Sequence, residues 1–185
     1  SLPKLYVDSN GNTPDFPKPY RTMESKIKRE QRKLSRKEKG SKNYEKQRIK
    51  LAKQHAKAKH LRNDVLHKLS CALTDRYDLI AIEDLDMSAI KRSLRFGKSA
   101  SDNGWGMFTD MLSYKAKRKG KQLVKVDRWF PSSKTCSHCG HIHKELRLSD
   151  RIYLCPKCGH TMDRDQQAAQ NIVKEAKRML LNAAF

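Results

Sequence analysis

Two CxxC pairs, Cys136-Ser-His-Cys139 and Cys155-Pro-Lys-Cys158, constrain this chain more than any other feature. Fifteen residues separate the pairs. The spacing predicts one tetrahedral site: each pair closes a tight turn and four thiolates complete the shell of a single zinc ion. Gly140 and Gly159 each follow the second cysteine of a pair. A glycine there lets the backbone turn so that its N–H groups face the sulfurs. Two disulfides are the competing reading, and the rest of the chain argues against it. No open coordination position is evident, so the zinc reads as structural. His138, His141, His143 and His160 crowd the motif and read as surface groups or supports for the ligands. The fifth cysteine, Cys71, lies in an apolar helical run and is expected in the core.

The 185 residues suffice for one domain with a real core plus a small satellite. They carry 41 Lys and Arg against 20 Asp and Glu, a net charge of +21, which implies a polyanionic partner. There is no apolar run of about 18 residues to span a membrane. Reduced, metal-binding cysteines place the expected compartment in the cytoplasm. The opening Ser1–Tyr20 reads like the middle of something, with Leu2, Leu5, Tyr6 and Val7 suggesting a strand before an Asp8–Gly11 turn. The chain is therefore expected to be a fragment.

Residues 21–62 hold 17 Lys and Arg but four Glu, a net charge of +13. Gly40-Ser41 divides this stretch, with Ser41 placed to cap a helix. The first half, about 23–37, has only Met23, Ile27 and Leu34 to bury. The second, about 43–75, gains a stripe of Leu51, Ala58, Leu61, Val65, Leu69 and Ala72. A helical hairpin follows, polar at one end and docked on a core at the other. A solvated charged face accounts for most single lysines. The size of the excess favours a nucleic-acid backbone, with Lys26, Arg29, Arg32, Lys33, Arg36, Lys37 and Lys42 as candidate contacts.

Leu79-Ile-Ala-Ile-Glu83-Asp84 reads as a buried parallel strand ending in acid, the end at which open α/β sheets place their sites. Glu83 is the candidate; a cap role for Glu83 or Asp84 fits the position equally well. Residues 92–104 read as a loop, with Asp102 or Asn103 capping a helix that buries Trp105, Phe108, Leu112 and Ala116 and ends at Gly120. Gln122–Asp127 forms the next strand. The last helix, about 164–181, is expected to bury Ala169, Ile172, Ala176, Met179 and Leu180. At its start, Asp163 suits an N-cap with Gln166 completing a capping box, and Asp165 suits the helix dipole. Two carboxylates there equally well supply a metal ligand.

Taken together, Lys37-Glu-Lys-Gly-Ser-Lys-Asn43, Ile82-Glu-Asp-Leu85, the run Lys125–Gly140, Cys155-Pro-Lys-Cys-Gly159 and Asp163-Arg-Asp-Gln-Gln-Ala-Ala-Gln-Asn-Ile172 resemble the C-terminal, nuclease-bearing half of the OrfB/TnpB insertion-sequence proteins, relatives of type V CRISPR nucleases. The likeness runs from about residue 5 through nearly the whole chain. It implies an α/β fold: a RuvC-like, RNase H-type domain, here without its first strand, carrying the basic hairpin (about 21–75) within residues 1–128. A zinc ribbon that binds target nucleic acid (129–162) is inserted before the final helix (163–185). The implied activity is RNA-guided DNA cleavage, with a guide RNA from the transposon end and target DNA as partners, in the cytoplasm at the nucleoid. The family's second and third acids match Glu83 and Asp165, which would hold two Mg²⁺ ions. The first acid belongs to an upstream Asp-x-Gly motif that this sequence lacks, and Asp8 is not assigned to it. Gln167 stands where Asn is common. The intact parent is thus expected to be a nuclease, and this chain alone a poor one or none; loss of cutting with guided binding kept is the alternative. Trp129 and Phe130 are placed either to stack on bases or to pack the hinge beside the ribbon.

Overall fold

The computed structural model describes residues 4–86, 104–147 and 149–183. Helix α1 (Pro19–Ser35) opens with proline at its first position, where a missing N–H costs nothing. A turn through Gly40, held at φ 86°, leads to α2 (Lys42–Arg76). Ser41 caps α2: its Oγ accepts from the Tyr44 amide at 3.1 Å, an arrangement worth about 1 kcal/mol. The two helices pack through Met23, Ile27 and Ala58, with Tyr20 and Leu51 beside them. A buried polar clasp closes the hairpin's far end, where Gln47 Nε2 donates to Glu30 Oε2 at 2.8 Å. That bond, with Lys33 in support, holds the Glu30 carboxyl below the usual carboxylate range. Both helices lie within about four residues of their sequence-expected bounds.

Strand β1 (Leu79–Glu83) pairs in parallel with β2 (Gln122–Val126), Leu79 opposite Gln122 and Glu83 opposite Val126. Helix α3 (Trp105–Arg118) makes the crossover between them. Its N-cap position is Gly104, at φ 62° and with no side-chain cap; Asp102 and Asn103 lie outside the described residues, as do Arg92, Arg95 and Lys98. Leu66, Ile80, Ile82, Phe108 and Leu112 form the main core. Helix α3 buries Phe108, Leu112 and Ala116 as its spacing predicts, and Gly120 follows it at φ 63°.

Three expectations need correction. Leu5–Val7 form no strand; Leu5 is buried and Tyr6 stacks on Phe108 at 5.7 Å, so their apolar surface plugs the core without joining a ladder. The Asp8–Gly11 turn is present, with the Gly11 amide on the Asp8 carbonyl at 3.0 Å. On α2, Leu61 is 44% exposed, and Ala72 and Cys71 are exposed. The buried line is instead Leu66, Ser70 and Thr74. The interface with α3 is polar at its centre: Lys115 Nζ is buried and donates to the His67 carbonyl and Ser70 Oγ, both at 2.7 Å, while Lys119 Nζ donates to Thr74 Oγ1 at 2.8 Å. Apolar periodicity does not register such a seam.

The remaining elements are β3 (Ile152–Leu154) and β4 (Thr161–Asp163), paired antiparallel, and α4 (Arg164–Ala183), which follows β4 without a break. Helix α4 buries Gln167, Asn171 and Ala176; Ala169, Ile172 and Leu180 are half-buried, and Met179 is 38% exposed. The departure has a cause: one side of α4 faces backbone carbonyls, which demand donors. Among the described residues no helix is long and apolar enough to cross a membrane.

Candidate functional site

The four cysteines converge as the spacing predicts. Their sulfurs all lie within 4.8 Å of one another. Cys136 Sγ stands 3.7 Å from Cys158 Sγ, and Cys139 Sγ 3.6 Å from Cys155 Sγ. Zn–S bonds of about 2.3 Å in a tetrahedron require S···S separations of about 3.8 Å. The thiols therefore fit zinc with little movement. The two turns are copies of each other: the Gly140 and Gly159 amides donate to the Cys136 and Cys155 carbonyls, each at 3.0 Å. Both glycines have φ above 70°, a left-handed backbone that other residues resist. Cys136 and Cys155 are buried with Tyr153 between the turns. Burial opposes ionisation of Cys155, but the backbone N–H groups of Cys158 and Lys157 outweigh it and bring the thiol down to about 6. The Cys158 thiol is pushed up to about 12: a backbone hydrogen bond from His160 favours its thiolate, but burial and the neighbouring thiols prevail. A divalent cation removes that mutual penalty. Among the described residues, no histidine belongs to the ligating cluster; His138 and His160 stack together at 5.8 Å beside it.

A second site lies where the carboxyl end of β1 faces the start of α4. Glu83, the last residue of β1, and Asp165, in the first turn of α4, line one cavity of about 460 Å³, otherwise largely apolar. Asp8 lines it too. The neighbouring acids are already engaged. Asp163 Oδ1 accepts from the Asp165 and Gln166 amides at 2.9 and 3.0 Å, the cap its position predicts. Asp84 pairs with Arg128 at 3.1 Å. Asp8 Oδ1 accepts from the Asn10 and Asn12 amides and Oδ2 from Asn12 Nδ2, all within 3.1 Å. Glu83 and Asp165 have no such partner among the described residues. Burial raises the Glu83 carboxyl above its ordinary range, so its anion is held at a cost that a bound cation would offset.

Sequence reasoning missed how the cavity and the ribbon are tied to α4. The Asp8–Gly11 turn lies over the helix start: Gln170 Nε2 donates to the Ser9 carbonyl at 3.3 Å, and a Cβ on Gly11 would meet the Gln166 side chain at 3.0 Å. The Gln166 side chain thus lies beside that turn. On the other side, Asn171 Nδ2 donates to the Ser132 and Thr135 carbonyls at 2.8 and 2.7 Å, and Lys174 Nζ to the Ser137 carbonyl. The signal was present in the chain: Gln167, Asn171 and Lys174 recur at three- and four-residue intervals, a polar face beside the apolar one expected to be buried.

The seven basic candidates, Lys26, Arg29, Arg32, Lys33, Arg36, Lys37 and Lys42, are all exposed; Arg29 and Lys33 contact Glu30. Trp129 is 85% exposed, which removes the hinge-packing reading for it within the described residues, whereas Phe130 is half-buried.

An α/β unit bearing a four-thiol knuckle pair defines the class, and comparison with known proteins places it. A profile described as a probable transposase, OrfB_IS605, matches residues 1–94, half the chain, and a Cas12f1-like TNB domain profile matches residues 105–172. The chain belongs to the OrfB/IS605 transposase family. A Streptomyces pristinaespiralis protein provisionally named an RNA-guided DNA endonuclease is 40% identical over 172 residues, 93% of this chain and 42% of that protein. InsQ of Escherichia coli K12, similarly named, is 32% identical over 192 residues, 96% of this chain and 48% of InsQ. The chain thus spans less than half of either relative. A protein solved by cryo-EM in a Cas12f1–sgRNA–target DNA complex shares the fold, with a TM-score of 0.58 at 21% identity over 82% of this chain and 40% of its own.

Proposed function

We propose that the chain is the C-terminal, catalytic portion of an RNA-guided DNA endonuclease. In this reading residues 1–128 form a RuvC-like domain with the basic hairpin, 129–162 a zinc ribbon that binds target nucleic acid, and 163–185 the closing helix. One observation carries it: the two acids the family motifs single out, Glu83 and Asp165, meet at one cavity with their carboxylates unspent, while Asp84, Asp163 and Asp8 are committed elsewhere. Glu83 and Asp165 would hold Mg²⁺, with a further acid supplied from outside this chain. Such ions, bound there, would supply activation of the attacking water and stabilisation of the leaving oxygen. The protein's own part is to fix the two carboxylates on a strand end and a helix start, and to exclude bulk water with an apolar wall. The four cysteines hold one structural zinc.

The test is programmed cleavage. The full-length parent with Mg²⁺ and a transposon-end guide RNA is expected to cut duplex DNA matching the guide, and to follow the guide when its sequence is changed. The 185-residue chain alone is expected to bind nucleic acid without cutting. A second reading, guided binding without cleavage, is favoured by the engagement of both Asp8 oxygens, which leaves two free acids in the cavity among the described residues. Binding without cutting by the full-length parent would select it.

Trp129 is the stacking candidate. Its replacement by alanine is expected to weaken single-stranded DNA binding about five- to a hundredfold, the scale of one stacked base, with the melting temperature unchanged. Equal affinities in a titration would remove Trp129 from the interface.

A further inference from the structure

Beyond the seven basic candidates named above, helix α2 carries a second basic feature. Lys46, Lys50, Lys53 and Lys57 recur at intervals of four, three and four, which puts them on one face over about 17 Å. All four are exposed, and among the described residues none has a hydrogen bond or ion pair. The face is separate from the one that packs on α1, which is marked by buried Gln47 and Ala58. It ends at Asp64, whose carboxylate is taken by Lys68 at 2.7 Å. On another face Arg48 is tied to Glu45 at 2.7 Å, leaving Lys59.

We infer that Lys46, Lys50, Lys53 and Lys57 form a phosphate track for a double-stranded stem of the guide RNA, an assignment that rests on the RNA-guided reading above. The chemistry is that of backbone contact: amines at roughly 4.5–6 Å intervals on a straight rod suit successive phosphates. Base stacking is not provided for, since no Trp, Tyr or Phe occurs from residue 45 to 61. That selects a duplex over a single strand. Position selects the source. Lys50 lies 27 residues before Tyr77, which lines the carboxylate cavity, so about 40 Å of helix separates the track from the scissile position. The occupant is thus a nucleic acid held away from the reaction, and in a guided nuclease that is the RNA stem.

The test is anisotropy with the 185-residue chain, an RNA hairpin of about 16 base pairs and a DNA hairpin of the same sequence, titrated at salt from about 50 to 200 mM. Each lost phosphate contact lowers the slope of log K against log salt by about 0.9. The Lys46→Gln/Lys50→Gln/Lys53→Gln/Lys57→Gln variant is expected to flatten the RNA slope by about 3.6 units and weaken binding at least tenfold at about 100 mM salt. Its helix content should be unchanged, and Lys59→Gln should match the unmodified chain. An unchanged slope overturns the track, and so does an equal loss on the DNA hairpin. A variant at the C-terminal end of α1 and the turn after it, Arg32→Gln/Arg36→Gln/Lys37→Gln, separates the failures. If it loses RNA affinity and the α2 variant does not, the track is wrong and the guided reading stands. If the unmodified chain binds no RNA, the guided reading itself fails.

Discussion

Replacing Cys136 by serine will strip the protein of its zinc and unfold residues 129–162 while leaving the β1–α3–β2 core folded. The ribbon cannot hold itself together otherwise. Its buried hydrophobic cluster is Cys136, Cys155 and Tyr153, with Leu146 packed against them. Two of those three belong to the four-thiol cluster. The ladder between β3 and β4 is three residue pairs long. Against so small a core, zinc supplies on the order of 10–16 kcal/mol of folding free energy in comparable peptides. The main core draws on Leu66, Phe108 and Leu112 and does not need the metal. Elemental analysis should find one zinc per chain before the substitution and none after it. Amide exchange should show protection lost from the Tyr153 and Cys155 amides and kept on β1. His138→Ala should retain the metal. Full zinc content in Cys136→Ser would mean that a neighbouring histidine completes the shell.

In the full-length protein, Glu83→Ala and Asp165→Ala will each reduce cleavage about a thousandfold or more and spare guided DNA binding. A metal-held phosphoryl centre stabilises its transition state by several kcal/mol, and each 1.4 kcal/mol is about a factor of ten. Asp163→Ala provides the contrast. It removes the cap from the Asp165 and Gln166 amides and should lower stability by about 1 kcal/mol. Its cutting should fall less than that of Asp165→Ala. Single-turnover cleavage beside filter binding makes the distinction. Undiminished cutting by either alanine variant would remove that residue from the site.

Much of this architecture could be read in the chain, and for different physical reasons. The cysteine spacing is a covalent ruler: two short turns with glycine after each leave one way to gather four sulfurs. The strand Leu79–Glu83 announced itself through consecutive apolar residues, and the Ser41 cap through local hydrogen-bonding chemistry. What failed depended on partners remote in sequence. Cys71 is exposed because α2 meets α3 through Ser70 and Thr74, and lysines from α3 satisfy that seam. Leu5–Val7 have strand composition, yet no ladder receives them. Position alone did not choose between Glu83 and Asp84 or between Asp163 and Asp165; the resemblance did, and only the folded chain reveals that Arg128 answers Asp84 and the helix start answers Asp163.

The join between β4 and α4 contains no linker: Asp163 ends the strand and Arg164 begins the helix. Asn171 and Lys174 add a second point of attachment two turns along, on the first cysteine turn. The ribbon is thus held to α4 at two points. A nucleic acid pulling on its outer surface would apply torque to the axis of α4, and Asp165 rides at the end of that axis. The four-cysteine module would then act as a handle on the carboxylate's orientation, and a load on it would also be felt at the cavity.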